Sequence, residues 1–352
     1  MTENLSERKA DHLALCATDE VAFKAKGPLF ADVRLIHEAL PDLAMDEVSL
    51  ACTILGKPLR APILIAAMTG GTERAAKVNR QLAEIAEERG YAFGVGSQRA
   101  MHVRKESAST YRVRDVAPTA VVFGNVGVVQ ARSMSTEEVR ALAHEIGADA
   151  MCIHLNPAME LVQPGGDRDF RGGLATIERL VNELDRPVIA KETGCGISRA
   201  TGARLRGIGV RHVDVSGAGG TSWVGVETKR AEAAGDAPAR ALGELYWDWG
   251  IPTAASVGML APLGFETLIA TGGVANGLDA AKAITLGAHL VGIARAALMA
   301  LDSGGRAGAL AFFDAVEREL AAAMLLTGCK DIAALRAAPK IIAGELSLWL
   351  RD

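Results

Sequence analysis

TLIATGGVANGLDAAKAITLGAHLVGIARAAL, residues 267–298, decides the fold. It contains two short apolar runs, TLIATGG from Thr267 and HLVGIA from His289, each typical of a buried parallel strand. Glycines and small residues follow both runs directly, in GGVANG and GIARAAL. Glycines let a backbone approach an anion closely, and the free N–H groups at the start of a helix point toward it. The stretch therefore predicts two consecutive strand–helix units with a phosphate site at the carboxyl ends of their strands.

Six further apolar runs precede this stretch, and each is followed by a helix-like segment. They are PILIAAM from Pro62, YAFGVG from Tyr91, AVVFGNV from Ala120, AMCIHL from Ala150, PVIAKET from Pro187 and HVDVSG from His212. Spacings of roughly 25 to 40 residues fit strand–helix units and predict an α/β protein, a closed (β/α)8 barrel. A doubly wound open sheet is the alternative. The run IPTAASV from Ile251 lies in the longer gap before the seventh strand and is a candidate additional strand.

The barrel is expected to occupy residues 61–352 as a single domain, preceded by an N-terminal extension, residues 1–60, that lacks the strand–helix rhythm. Within the barrel, the periodicity of TERAAKVNRQLAEIAEERG places Val78, Leu82, Ile85 and Ala86 on one helix face, with Gly90 as the stop signal. The polar, Ala/Gly-rich segment 230–240 predicts a mobile loop at the active-site end.

The composition limits the class of protein. With 352 residues, of which 49% are hydrophobic, the chain can bury a large core, and its net charge of −4 offers no long-range attraction to nucleic acid. The N-terminus is too charged for a signal peptide, and the apolar stretch near Leu290 is interrupted by Arg295. Five scattered cysteines without CxxC spacing indicate reduced thiols. A cytoplasmic protein with no membrane partner is expected.

Polar and glycine-rich segments follow every predicted strand, at the end where barrel enzymes carry their functional groups. In chain order they are MTGG (68–71), GSQR (96–99), Asn125, HLNPAMELVQPGGDRDF (154–170), KETG (191–194), SGAGGTSW (216–223), GGVANG (272–277) and GIARAAL (292–298). Lys191 directly follows the apolar run VIA, where a lysine is costly to bury without a partner. Its position favours a cation held near a cofactor ring over a solvated loop lysine.

Seven motifs in this order and spacing carry a family resemblance: RKADH (8–12), MTGG, GSQR, HLNxxxE, KETG, SGAGGTSW and PTAAS. Over nearly its whole length, the chain resembles the type 2 isopentenyl diphosphate isomerases. The resemblance implies an enzyme that depends on FMN and Mg²⁺ and uses NADPH to keep the flavin reduced. It also implies that isopentenyl and dimethylallyl diphosphate are interconverted without net redox change, by a homo-oligomer, tetramer or octamer.

The resemblance also implies roles for individual residues. Flavin-binding positions are Ala67, Met68, Thr69, Ser97, Asn125, Lys191, Ser216, Thr221, Gly273, Val274, Ala275, Ala294 and Arg295. Substrate-binding positions are Arg8, Lys9, His12, Ser97, Gln98, Arg99, Asn156 and Met159. Catalytic roles fall to His154, Lys191 and Glu227, and Glu160 is the Mg²⁺ ligand. Charge-assisted bonds from arginines and a lysine suit a diphosphate, and a carboxylate suits magnesium. Taken singly, Arg8, Lys9 and Glu160 are more often ordinary solvated or helix-capping residues.

Two positions depart from the family pattern. Met159 stands where the family has a glutamine, and Ala275 stands where the seventh loop has an arginine. A thioether cannot donate a hydrogen bond or shuttle a proton, so a mechanism that uses the glutamine as an acid–base group fails here. A mechanism in which the reduced flavin moves the protons survives, although the substrate could be another prenyl diphosphate.

Three alternatives remain open. An FMN-dependent 2-hydroxy acid oxidoreductase shares the barrel but needs a His and Arg pair where this chain has SGAGGT and GGVAN. An IMP dehydrogenase needs a nucleophilic cysteine, and nothing around Cys195 recognisably lowers its pKa. A flavin- or diphosphate-binding relic would explain Met159 but not the retained cations.

Overall fold

The computed structural model describes residues 5–351 of the chain, with side chains described from residue 7 onward. Its strands, in chain order, are β1 (Val33–Leu35), β2 (Cys52–Ile54), β3 (Lys57–Leu59), β4 (Ile63–Ile65), β5 (Ala92–Gly94), β6 (Val121–Gly127), β7 (Ala150–Leu155), β8 (Val188–Glu192), β9 (His212–Asp214), β10 (Thr267–Thr271), β11 (Leu290–Ile293) and β12 (Lys340–Ile342). Strands β4 to β11 are all parallel, and β11 pairs back onto β4. The predicted closed barrel is confirmed, and the open sheet is excluded.

The helices connect and cover these strands. They are α1 (Leu5–Cys16), α2 (Glu73–Arg89), α3 (Arg99–Val103), α4 (Val128–Ser133), α5 (Thr136–Glu145), α6 (Pro157–Val162), α7 (Gly173–Glu183), α8 (Arg199–Gly207), α9 (Trp223–Ala233), α10 (Ala237–Leu245), α11 (Thr253–Leu260), α12 (Gly277–Thr285), α13 (Arg295–Leu326), α14 (Ile332–Ala337) and α15 (Leu346–Trp349). Helix α13 is broken at Gly305, whose φ of 59° is not helical. No helix within residues 5–351 is long and apolar enough to cross a membrane.

The interior of the barrel is filled by side chains from alternate positions of its strands. Successive side chains of a strand point to opposite faces, so every second residue points into the barrel. The inner set is made of small and medium apolar side chains: Leu64, Ala66, Ala92, Val121, Phe123, Ala150, Cys152, Ile189, Ile269 and Leu290. The intervening residues pack outward against the helices in a second, larger cluster. Ile54 and Leu59 of the β2–β3 hairpin join the inner set, so the hairpin closes the amino-terminal end of the barrel.

Helix α2 illustrates how sequence signals set an element. Thr72 caps it by accepting a hydrogen bond from the Ala75 amide, and Gly90 ends it in the left-handed region with φ of 65°. Leu82, Ile85 and Ala86 are buried as predicted, and Val78 is partly buried. The sequence-based assignment of this helix is confirmed.

Two sequence-based assignments were wrong. The candidate additional strand from Ile251 is largely helix α11, because its alanines favour a helix and Pro252 stands at the N-cap. The predicted mobile loop, residues 230–240, is the end of α9, a short turn and the start of α10. Asp236 caps α10 by accepting a hydrogen bond from the Ala239 amide, and its alanines again favour helix.

The N-terminal extension reaches two regions of the barrel. Strand β1 pairs antiparallel with β12, so a segment before the barrel is joined to one after its last strand. Helix α1 lies against α9 and α2, over the carboxyl end of the barrel. The extension therefore supplies part of the wall above the barrel mouth.

Candidate active site

A cavity of about 450 Å³ lies at the carboxyl end of the barrel beneath α1. Its volume falls within the usual range of small-molecule sites, about 300 to 1,000 Å³. The structure brings together in its wall all the sequence-predicted site residues except Gln98 and Glu227. These are Arg8, Lys9, His12, Ala67, Met68, Thr69, Ser97, Arg99, Asn125, His154, Asn156, Met159, Glu160, Lys191, Ser216, Thr221, Gly273, Val274, Ala275, Ala294 and Arg295.

Gln98 lies behind the wall. It is fully buried, its Nε2 donates to the Leu142 carbonyl at 2.8 Å, and its Oε1 accepts from the Asn125 amide at 2.9 Å. Both ends of the amide side chain are therefore engaged by the protein. The structure does not bring Gln98 to the substrate side but makes it a brace for β6.

A polar floor closes the bottom of the cavity, because the inward alternation of each strand continues one layer above the apolar inner set. Asn125 follows Phe123, His154 follows Cys152, Lys191 follows Ile189 and Thr271 follows Ile269, each by two residues. At the floor, Lys191 Nζ donates to Asp214 Oδ2 at 2.8 Å, and both side chains are buried. The ion pair offsets much of the cost of burying the lysine.

His154 is neutral in this floor. Burial lowers its pKa to about 4, with further lowering by the charges of Lys191, Arg99 and Lys9. Its Nδ1 lies 2.8 Å from Asn125 Oδ1, and this contact needs the proton on Nδ1 because the amide oxygen only accepts. The other ring nitrogen, Nε2, then carries no proton and can accept a hydrogen bond.

Cations cluster at one end of the cavity. Lys9 Nζ donates to the Ser97 carbonyl at 3.0 Å and lies 2.5 Å from the Tyr111 hydroxyl oxygen. Burial, together with the charges of Arg8, Arg104 and Arg99, lowers the pKa of Lys9 to about 7. Burial also lowers the pKa of Arg8. Cations held so close together repel one another until an anion lies among them, so this end is built for a highly charged anion.

His12 is fixed by a wholly buried carboxylate. Its Nε2 lies 2.7 Å from Glu227 Oε1, and the other oxygen of Glu227 accepts from Arg230 Nη1 at 2.7 Å. The ring also packs edge-on against Trp223, with 5.3 Å between centroids. Glu227 does not line the cavity itself: it contacts His12, and its charge opposes the lowering of the Arg8 pKa by burial.

Glu160 is held in place by three donors. Asn156 Nδ2 donates to Oε1 at 2.9 Å, while Gln163 Nε2 at 3.1 Å and the Asp167 amide at 2.8 Å donate to Oε2. Met159, one residue earlier on α6, places its sulfur 3.8 Å from Asn156 Nδ2. Within residues 5–351, no three His, Cys, Asp or Glu side chains are grouped to hold a metal. A metal at Glu160 would need most of its ligands from substrate and water.

Glycines form a cradle where the loops after β9 and β10 meet. Gly272 and Gly273 have φ of 110° and 72°, which favours glycine. A Cβ on Gly220 would lie 2.6 Å from the Gly273 nitrogen, and one on Gly273 would lie 2.7 Å from the Gly219 carbonyl. The two loops therefore approach each other through their backbones, with no side chain between them, and the backbone of the wall is accessible to a phosphate. The Ala275 amide already donates to Asp279 Oδ2 at 3.2 Å and is thus engaged within the protein.

The family of the chain follows from comparison with known proteins. The chain matches the FMN-dependent dehydrogenase family over residues 1–160 and 160–342. It is 46% identical over 355 residues to an isopentenyl-diphosphate delta-isomerase of Methanosarcina acetivorans, covering 100% of this chain and 96% of the relative. The corresponding protein of Methanothermobacter thermautotrophicus is 42% identical over 349 residues, covering 99% and 96%. The chain belongs to the isopentenyl-diphosphate delta-isomerase family. The resemblance read from its motifs is thereby confirmed.

Solved structures resemble this family member in fold alone. A mandelate oxidase mutant with an FMN adduct superposes with a TM-score of 0.66 at 18% identity, covering 94% of this chain and 95% of that one. A putative lactate oxidase of Pediococcus acidilactici also gives 0.66, at 16% identity, covering 97% and 94%. The barrel fold is shared with them. FMN is the cofactor that the family match of this chain supports.

Several residues of this isopentenyl-diphosphate delta-isomerase family member escaped the sequence analysis. Asp214, the counter-charge of Lys191, stands two residues before Ser216 in HVDVSG, so the period of two could have placed it inward. Trp223, which supports His12, ends the motif SGAGGTSW, and the motif by itself indicates no role for it. Thr271 ends β10 and lines the cavity, and the alternation from Ile269 was the available signal.

Proposed function

We propose that the protein interconverts isopentenyl and dimethylallyl diphosphate with FMN as its cofactor. The observation that carries the proposal is the division of one cavity into a cationic end, a polar floor and a glycine cradle. Relatives that are 42% to 46% identical over almost the full length are named for this reaction. The three parts match a diphosphate, a flavin ring and a flavin phosphate.

The residues fit FMN. The cradle of Gly220 and Gly273 gives a phosphate close access to backbone, and Ala294 and Arg295 open α13 beside it. Reduced FMN, when bound, supplies the groups that deliver a proton to one carbon of the allylic unit and remove one from another. Lys191, fixed by Asp214, holds a positive charge at the floor, where it would stabilise the negative charge of a reduced ring.

The substrate would lie with its diphosphate among Arg8, Lys9 and Arg99, which line the cationic end. Met68 and Trp223 offer apolar surface for the hydrocarbon part. His154, neutral and with Nε2 able to accept, would orient a donor near the diphosphate. Helix α1 covers this end. We accordingly propose that residues 1–60 form a substrate-binding extension to a single barrel domain, residues 61–352.

Magnesium fits Glu160 as its one protein carboxylate. Mg²⁺ usually takes one or two carboxylates and fills its octahedron with phosphate oxygens and water. The three donors around Glu160 hold its carboxylate in one orientation in the cavity wall. We also propose NADPH as the reductant, a homo-oligomeric assembly of four or eight copies, and a cytoplasmic location. The support for these is the family resemblance and, for the location, five cysteines that form no disulfide.

A 2-hydroxy acid oxidoreductase is the second candidate, suggested by the solved structures that share the fold. Such an enzyme needs a histidine and an arginine after the sixth and seventh barrel strands. The histidines in this cavity wall, His12 and His154, come from α1 and β7 instead. An IMP dehydrogenase, in contrast, needs a nucleophilic cysteine. Burial raises the pKa of Cys195, so its thiol is not poised as a nucleophile.

One assay separates these candidates. The purified protein is reconstituted with FMN and given isopentenyl diphosphate with Mg²⁺, with and without NADPH under anaerobic conditions. We expect dimethylallyl diphosphate to form only when the flavin is reduced. Equal turnover on oxidised FMN would exclude the proposed mechanism. Oxidation of lactate or mandelate without isomerisation would establish the second candidate, and flavin binding without either activity would indicate a relic.

The metal assignment has its own test. Glu160→Gln should remove most of the Mg²⁺ dependence of turnover, because an amide is a poorer ligand than a carboxylate for a hard cation. Asp169→Asn is the matched control, since Asp169 is exposed on the loop that follows α6 and pairs with Arg171. If the Glu160 variant responds to Mg²⁺ as the parent does, the metal binds elsewhere.

A further inference from the structure

The hydroxyl of Thr271 is buried without a partner. Thr271 is 6% exposed, and its Oγ1 finds no hydrogen-bond partner among the described residues. A buried donor left without a partner costs about 1 to 3 kcal/mol, so most such groups in proteins are satisfied. When such a hydroxyl lies in the wall of a binding cavity, this indicates that its hydrogen-bond partner is a group of the ligand.

The hydroxyl is directed into the cavity by strand geometry. Ile269 belongs to the inner set of the barrel, so Thr271, two residues later on β10, points inward as well. Its strand partner is Gly292 on β11, and a Cβ on that glycine would lie 2.0 Å from Thr271 Oγ1. Both residues line the cavity. The absence of a side chain at position 292 thus leaves the room that the hydroxyl occupies.

A neighbouring threonine shows the contrast. Thr253 Oγ1 donates to the Gly272 carbonyl at 2.6 Å and is satisfied within the protein, where it supports the loop from outside the cavity. The carbonyl of Thr271 is likewise used, since it accepts from the Gly217 amide at 2.8 Å. Of these groups, only the hydroxyl of Thr271 is left without a partner.

We infer that the Thr271 hydroxyl hydrogen-bonds the ribityl chain of the bound flavin. This inference rests on the proposed function. In the strand register Lys191 is level with Asp214 and Asp214 with Ile269, so Thr271 lies two residues beyond the level of Lys191 and two residues before Gly273 of the phosphate cradle. A flavin with its phosphate in the cradle and its ring over the floor must pass its polyol chain between the two. Hydroxyls of that chain can both donate and accept, which matches a threonine.

The test measures flavin affinity rather than turnover. FMN and riboflavin are titrated into flavin-free protein, and dissociation constants are read from the quenching of flavin fluorescence. Thr271→Val keeps the shape and removes the hydroxyl, so both ligands should bind about tenfold more weakly, as expected for one lost hydrogen bond. Thr271→Ser keeps the hydroxyl and should stay within about threefold of the parent.

Thr267→Val is the matched control. Thr267 begins the same strand at the other end of the barrel, where its Oγ1 lies 3.0 Å from His212 Nδ1. It should leave flavin affinity unchanged, whatever it does to stability. Thr271→Ala is a second variant without the hydroxyl, in case the valine variant does not fold.

The outcomes are distinct. Equal affinity of parent, valine and alanine variants for both flavins would overturn the inference alone. A loss of affinity for FMN but not for riboflavin would show that the hydroxyl contacts the phosphate, and would overturn the ribityl assignment. Failure of the parent protein to bind FMN would overturn the proposed function and this inference with it.

Discussion

Lys191 and Asp214 form a buried ion pair at the floor of the cavity, with Nζ 2.8 Å from Oδ2 and both side chains less than a tenth exposed. They come from neighbouring strands, and Lys191 lies opposite Asp214 in the register of β8 and β9. The pair therefore belongs to the frame of the barrel as well as to the site. A lysine presented to a flavin ring at this position depends on its neighbour for its direction.

The first prediction concerns the loss of the counter-charge. Asp214→Asn should lower the free energy of unfolding by about 3 to 5 kcal/mol, because it leaves a buried ammonium group unpaired. Urea denaturation of the flavin-free protein measures this. The double variant Asp214→Asn/Lys191→Met should recover a large part of the loss, since no unpaired charge remains. If the double variant is less stable than the single one, the ion pair is not the source of the effect.

The second prediction concerns pH and Lys9. The pKa of Lys9 is lowered to about 7 in the free protein, and a bound diphosphate would raise it again. Between the free and the bound pKa, the complex holds one more proton than the free protein. Substrate affinity should therefore fall as pH rises from about 7.5 to 9, by up to tenfold per pH unit for one proton. The phosphate does not contribute to this change, because a phosphate group with a second pKa near 6 is already ionised in this range.

Calorimetry at pH 8 in buffers of different ionisation enthalpy should show the corresponding proton uptake on binding. Lys9→Arg is the informative variant, because a guanidinium stays charged across this range and should abolish the slope. His154, with a pKa of about 4, does not titrate in this window. A slope that persists unchanged in the arginine variant would assign the proton to another group.

Much of the fold could be predicted because the barrel depends on short-range patterns. Each of the eight apolar runs contains a strand. Both signals used for the prediction, the alternation of side chains with a period of two and the polar residues after each run, can be read from the sequence. The segments around Ile251 and Arg230 were misassigned because alanine-rich stretches with few apolar anchors fit a loop, a strand or a helix. Their helical state depends on caps and on packing against the barrel.

The site was predictable to the extent that it follows the strand ends. Residues after parallel strands converge whatever their type, so most of the candidate residues lie in one cavity. Gln98 and Glu227 do not line it. The Gln98 side chain is directed to the backbone of Asn125, and the Glu227 side chain is directed to His12, so the hydrogen-bond partner decides the direction of each. Sequence spacing contains no information about those partners.

The third prediction treats Glu227 as a positioning residue. Because Glu227 contacts His12 and not the cavity, Glu227→Gln should lower kcat/KM by about tenfold or more, and the double variant His12→Ala/Glu227→Gln should lose no more than His12→Ala alone. Asp11→Asn is the control, since Asp11 is exposed and meets the same Arg230 from outside, at 3.3 Å. Additive losses in the double variant would mean that Glu227 acts on the substrate independently of His12.

Met159 raises the question of which group moves the protons. It lines the cavity one residue before Glu160 on α6, and its sulfur contacts Asn156 at 3.8 Å. If the family glutamine were a required relay, Met159→Gln should raise the rate by about a hundredfold or more, the upper part of the range for a positioned acid or base. If the flavin does both transfers, the side chain only shapes the wall.

We expect the second outcome, so the last prediction is that Met159→Gln changes isomerase turnover by less than about tenfold, as for a packing change worth roughly 1 kcal/mol. The reason is the state of the surrounding site, in which Glu160 keeps its three donors and Lys9 its cationic neighbours. Met159→Leu is the matched control, because it keeps the apolar volume without an amide. A large gain with glutamine and none with leucine would show that the relay is needed, and would favour a relic or a different native prenyl diphosphate.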